Sequence, residues 1–254
     1  MTSRLLGVAL AATLVTGAMA GCREETPAPS AEAPRNPAQY EEGTPYQPRF
    51  DPDGFVRTID NPYFPLVPGT TLIYEGMSGG EREMVKVTVT HDTKEILGIT
   101  ATVVRDRVFV DGMLAEDTFD WYAQDRQGNV WYLGETTKEY EDGKVVSTEG
   151  SWEAGVDGAQ PGIIMLADPQ VGDAYRQEFY EGEAEDVARV LALDESVTVP
   201  HGSFDGVLRT EDWTPLEPKI RENKFYARGI GVVFERLVRG GREVLRLVEV
   251  RKGS

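Results

Sequence analysis

Cysteine occurs once, at Cys22, so an intramolecular disulfide is excluded and the fold must be held by packing. Histidine occurs only at His91 and His201, and neither sits in a recognisable motif. A His-based metal site or a Ser-His-Asp triad would have to use one of them. No nucleophile elbow, HExxH run, Cys-His arrangement or Walker loop is present. Basic residues are in deficit: Lys plus Arg number 26 against 43 Asp plus Glu, a formal charge of −17. Such a surface repels nucleic acid and anionic headgroups, so no nucleic-acid partner is expected. Acidity favours solubility first and, after that, a cation or a basic partner. There is no fixed-length repeat and no convincing long helical pattern.

Residues 1–22 carry Arg4, an apolar run from Leu5 to Val15, and then Met19-Ala20-Gly21-Cys22. The run is too short to cross a ~30 Å hydrocarbon core as a helix. The small-small-Cys ending resembles a bacterial lipoprotein signal, although Met19 stands where Leu is commonest. The resemblance implies cleavage of residues 1–21 and acylation of the Cys22 sulfur and new amino terminus, with palmitate-type chains. Two or three such chains give stable membrane attachment. Arg23 after the cysteine, rather than Asp, implies outer-membrane sorting in a host that has an outer membrane. The alternative is an ordinary secretory signal ending near Ala20, with Cys22 left as a free thiol.

The next stretch, 22–49, contains Pro27, Pro29, Pro34, Pro37, Pro45 and Pro48 among Glu, Ala, Ser and Thr, with almost no large aliphatic residues. This composition is expected to form a disordered tether. One β-rich domain is expected over 50–254. It opens with an irregular arm, Asn61 to Gly69, whose prolines forbid an interior strand and whose aromatic residues are expected to cover one end of a sheet.

The centre of the domain is Asp117 to Glu135, two aromatic strands around a polar, Gly-containing loop. Closure at Asp125 and Asn129 sets Tyr122 opposite Tyr132, Trp121 opposite Leu133 and Phe119 opposite Glu135. A turn at Asp142-Gly143 then sets Leu133 opposite Trp152 and Glu135 opposite Gly150. The preceding hairpin, closed at Asp111-Gly112, pairs Val110 with Met113 and thereby Arg107 with Glu116 and Asp106 with Asp117. The second pair is a like-charge contact that demands a cation, a proton or a bulge. No calcium-loop sequence accompanies it, so no metal is expected.

Strands are expected at Thr70 to Tyr74, Met84 to Thr90, 96–110, Ala174 to Tyr180, Val187 to Leu193, Val207 to Trp213, Asn223 to Ala227, Gly231 to Val238 and Val244 to Val250. Glu153 to Asp173 reads as a crossover in which Ile163 to Leu166 is either a short helix or a buried plug. The fold class is all-β: an antiparallel meander of about ten strands, curled into a half-open barrel to hide its faces.

Val199-Pro200-His201-Gly202-Ser203-Phe204, followed by Phe225-Tyr226-Ala227-Arg228-Gly229-Ile230-Gly231-Val232-Val233, resembles a pattern of uncharacterised exported bacterial β-rich proteins. The stretches Asp117 to Glu135 and Gly150 to Gly155 are similar to the same lineage. The resemblance covers roughly 60–250. It implies a fold related to the periplasmic lipoprotein carriers, whose half-open sheet wraps a hydrophobic cavity, and no assigned activity. None of the carriers' functional residues transfers, because no motif here aligns with theirs.

Three functions follow as expectations. The first is a non-catalytic module binding a hydrophobic or amphipathic small molecule or lipid, with Phe119, Trp121, Trp131, Leu133 and Trp152 as lining and Glu135 as a polar handle. Against it stands ordinary core packing of the same aromatic residues. The second is an envelope protein whose acidic surface meets a basic partner. The third is a hydrolase using paired carboxylates among Asp117, Asp120, Glu135 and Glu153. The expected protein is an exported, lipid-anchored binder, not an enzyme, with no cofactor.

Overall fold

A computed structural model describes residues 36–253 of the chain. The signal expected over 1–21 and the lipid attachment expected at Cys22 lie outside the described residues. The strands, in order, are β1 (Phe55–Val56), β2 (Thr71–Ser78), β3 (Glu81–Ile96), β4 (Ile99–Val110), β5 (Met113–Asp125), β6 (Val130–Thr136), β7 (Glu139–Glu141), β8 (Lys144–Ser147) and β9 (Trp152–Glu153). They continue with β10 (Gln160–Met165), β11 (Ala174–Arg176), β12 (Glu178–Phe179), β13 (Val187–Val199), β14 (Gly202–Trp213), β15 (Arg221–Ala227), β16 (Gly231–Arg239) and β17 (Val244–Arg251). The only helical segment among the described residues is a 3-10 turn at Pro52–Gly54. No described helix is long and apolar enough to cross a membrane, which says nothing of a β-barrel.

Consecutive strands β2 to β6 pair antiparallel, β13 to β17 do likewise, and β17 returns to β2. On the far side β6 pairs with β10, and β11 pairs with β13. The result is an antiparallel sheet nearly closed into a barrel, with one unsealed seam. β10 also meets β12 through two residue pairs, Gln160 with Phe179 and Pro161 with Glu178. Gly162 is the residue that permits the approach: a Cβ there would lie 2.2 Å from the Gln177 carbonyl. Ile163 to Leu166 is thus neither a helix nor a plug, since Ile163, Ile164 and Met165 belong to β10, with Gly162 opposite Tyr132.

Period-2 alternation decides which side chains enter the barrel. On β4, Val104, Asp106 and Val108 face the lumen; on β5, Asp120 and Tyr122 do; on β15, Lys224 and Tyr226 do. The intervening residues form the outer face, where Trp121 and Trp131 are buried by other parts of the chain. Phe50 and Phe55 pack on Trp131, with ring centroids 5.7 and 6.1 Å away. Lys94 caps Trp121 with Nζ 3.3 Å from the ring centroid.

Residues 36–49, within the stretch expected as a tether, lie against the domain. Gln39 bridges Tyr175, the Arg176 N–H donates to the Ala38 carbonyl, and the Tyr46 hydroxyl donates to the Pro161 carbonyl. The proline count hid the reason. Ala38, Tyr40 and Tyr46 supply enough apolar surface to seat this segment, and Tyr40 and Tyr46 reach Trp213 and Phe179.

Two β-bulges reset the central registers. Between Val108 and Phe109 the pairing slips by one, so Asp117 faces Arg107 and Asp106 faces Thr118. Arg105 then holds Asp117 with two bonds of 2.7 Å. The like-charge pair expected at Asp106 and Asp117 is removed by this bulge. A second slip, between Asp120 and Tyr122, keeps Tyr122 opposite Tyr132 but places Phe119 opposite Thr136 and Asp120 opposite Glu135. Between β6 and β9, Trp152 pairs with Glu135 rather than Leu133.

Candidate functional site: the lumen and its buried carboxyls

The arm forms the cover of the lumen. Gln124 Oε1 accepts from the N–H groups of Asp60 and Asn61, and Asn61 Nδ2 donates to the carbonyls of Gly128 and Leu166. These bonds fix an irregular backbone that no strand satisfies. Phe64 is thereby set edge-on to Tyr122 at 5.3 Å, and Arg228 lies over the Tyr63 ring at 4.3 Å.

Beneath Phe64, Pro65 and Leu66 lies a cavity of about 330 Å³. Its walls are mainly aliphatic and aromatic, including Leu72, Val85, Val104, Tyr122, Tyr226 and Val232. Its charged groups are Glu83, Asp106, Asp120, Glu235 and Lys224. Lys224 Nζ is 3.7 Å from both Asp212 and Glu222. Burial alone would depress this lysine, but Glu222, Glu235 and Asp212 outweigh that and hold it well above its ordinary value. At Asp106 the same lysine acts only as the weakest of the influences, opposing the burial and the neighbouring acids. Asp106 Oδ1 is closed off from solvent and receives no hydrogen bond. Burial, reinforced by Asp120, Glu116 and Glu235, pushes its carboxyl well above the usual range.

A second pocket, about 250 Å³, adjoins the first and is lined by Glu116, Glu135, Glu149, Glu178, Glu183 and Asp186 among others. Asp120 and Glu135 stand between the two. The Tyr132 hydroxyl oxygen lies 2.7 Å from Asp120 Oδ1 and 2.9 Å from Glu135 Oε2. One phenolic hydrogen cannot serve both contacts, so at least one carboxyl retains its proton. Burial accordingly raises Asp120 to about 7 and Glu135 well above its ordinary value. Tyr132 is fixed between Tyr122, stacked at 4.7 Å, and Trp152, edge-on at 5.3 Å, whose Nε1 donates to Glu178 Oε2.

Of the six residues expected to line a concave face, none borders the lumen cavity. Glu135 borders the acidic pocket, and Trp131 borders a separate recess beside Phe50 and Phe55. Leu133 and Trp152 are buried, Trp121 lies under Lys94, and Phe119 is half-buried with Arg105 over its ring. Of the four carboxylates expected to pair, Asp120 and Glu135 come together. Asp117 is bound by Arg105, and Glu153 by Lys94 at 2.6 Å. Among the described residues no group of three or more His, Cys, Asp or Glu is disposed to hold a metal ion. Of the lumen residues, the sequence singles out Asp106 only as a like-charge pair with Asp117, and it does not single out Lys224 or Glu235. Their signal was available: in Val104-Arg105-Asp106-Arg107-Val108 an acid shares a strand face with two valines.

No family model and no curated protein matches the sequence. Among solved structures, the chain is similar to a candidate exported protein with a YmcC-like fold from Bacteroides fragilis. That pair is 16% identical, with a TM-score of 0.44, over 75% of this chain and 99% of the other. It is also similar to a candidate lipoprotein from Parabacteroides distasonis, at 11% identity and TM-score 0.43, over 76% of this chain and 99% of that one.

Proposed function

We propose that the protein is an exported, lipid-anchored module that binds an amphipathic small molecule or lipid in the lumen of its barrel and does not catalyse. The observation that carries this is the covered cavity: about 330 Å³, apolar on most sides, with a few convergent polar groups and a lid formed by the arm. The N-terminal run ending at Cys22 supports the location. Native mass spectrometry of protein purified from its own membrane tests the reading. A hydrophobic mass that co-purifies supports it, and a protein that emerges empty and refuses every amphiphile offered defeats it.

The pair Asp120 and Glu135 favours a hydrolase as the second reading, since buried carboxyls sharing a proton are a catalytic arrangement elsewhere. The geometry supports it less well. A bond to be cleaved would have to lie between the two carboxyls, where the Tyr132 hydroxyl sits.

A further inference from the structure

The lumen carries four carboxyls, Glu83, Asp106, Asp120 and Glu235, against one ammonium, Lys224. The lysine is already taken: Asp212 and Glu222 approach it from outside the cavity lining, at 3.7 Å each. Asp120 is taken by Tyr132 and Glu135. Asp106 is left. It stands between Val104 and Val108 on the same strand face, and its Oδ1 is shut away from solvent without a donor. A buried carboxyl oxygen that receives no hydrogen bond favours a retained proton or a cation beside it. The apolar walls beside it have room for a chain, and Asp106 has room for a head. We propose that the ligand of the lumen is a cationic amphiphile, an alkylammonium-type molecule whose positive head binds Asp106 and whose chain lies along the apolar wall.

This rests on the amphiphile reading of the cavity and specifies its charge. On binding, the Asp106 carboxyl passes its proton to solvent, and the ammonium N–H group donates to the vacated oxygen. The charged and titratable groups facing that oxygen are Asp120 and Glu116 on β5, Glu235 on β16 and Lys224 on β15. Three of these four are acids, so they add to the attraction for a cation and oppose an anionic head.

The test uses the full chain, titrated calorimetrically at pH 7 with dodecylammonium, dodecanol and laurate as separate probes. Dodecylammonium is expected to bind at least tenfold more tightly than dodecanol, with a heat that differs between phosphate and Tris buffers because a proton is released. Asp106→Asn should bring dodecylammonium down to the level of dodecanol and abolish the buffer dependence. Equal binding of dodecanol, or preference for laurate through Lys224, overturns the cationic head while leaving the amphiphile reading standing. If none of the three binds, both fall. The comparison among probes uses the unsubstituted protein, so it decides the matter even where Asp106→Asn does not fold.

Discussion

Asp120 and Glu135 face each other across β5 and β6, with the Tyr132 hydroxyl touching both carboxyls. The contact arises from a one-residue slip beside Gly134, whose φ of 130° is closed to other residues. Two acids brought together in a buried site hold a proton that each would have lost in water.

The first prediction is an inverted pH profile of stability. Burial raises Asp212 to about 6 and, likewise, Asp120 and Glu222 to about 7. In the unfolded chain these groups titrate near their ordinary values, about 4. Between pH 4 and 7 the native state therefore binds more protons than the unfolded state. Stability from these groups is complete below about pH 4, declines as pH rises, and is gone above about pH 7, at up to ~1.4 kcal/mol per pH unit for each retained proton. Urea unfolding should show a midpoint that falls from pH 5 to pH 8, and Asp120→Asn should flatten the slope. A midpoint that rises over that range would mean the acids are ionised in the fold.

Gly134 also sets the distance between β6 and β9. A Cβ there would lie 2.3 Å from the Trp152 carbonyl oxygen, so Gly134→Ala must displace the strand that seats Trp152. The expected loss is about 2 kcal/mol or more, from the clash together with an unfavourable backbone. Gly128→Ala, also at positive φ but 3.4 Å from the Ala167 side chain, should cost less. Paired thermal melts compare the two, and equal losses would show that φ alone decides.

The architecture was legible because strands such as Met84 to Thr90 alternate apolar and polar residues and because Asp111-Gly112 and Asp142-Gly143 mark their turns. The facing of the aromatic residues was not. Phe119, Trp121 and Trp131 share a sheet face, and that face is the outer one, where Phe50 and Phe55 cover Trp131, Lys94 covers Trp121 and Arg105 lies over Phe119. Periodicity gives two faces without saying which is inside, and the covering residues are distant in sequence, Lys94 lying 27 positions from Trp121 and Phe50 lying 81 from Trp131. The bulges were equally hidden, since one extra residue leaves no mark on composition.

Asp125 ties the central hairpin. Its carboxylate accepts from the Asn129 N–H, Asn129 Nδ2 and Trp131 Nε1, at 2.9, 2.9 and 2.8 Å. Asp125→Ala leaves a buried indole N–H and a buried amide without acceptors, and should cost about 2–4 kcal/mol. Asp125→Asn, which keeps one acceptor oxygen, should recover part of that loss. Chemical denaturation of the two variants checks the order, and an indifferent Asp125→Ala would place the hairpin's stability elsewhere.

Trp131 and Val108 separate the outer face from the lumen. Trp131→Ala removes a buried ring from beneath Phe50 and Phe55 and should cost about 3–5 kcal/mol, while leaving amphiphile binding unchanged in whatever fraction remains folded. Val108→Phe places a ring where Val108 now borders open cavity. Because the added volume enters empty space, the loss of stability should stay below about 1.5 kcal/mol, but retained amphiphile should fall at least tenfold. The measurement is the bound mass per folded protein by native mass spectrometry. If Trp131→Ala empties the protein and Val108→Phe does not, the ligand lies on the outer aromatic face and the lumen is only a packing defect.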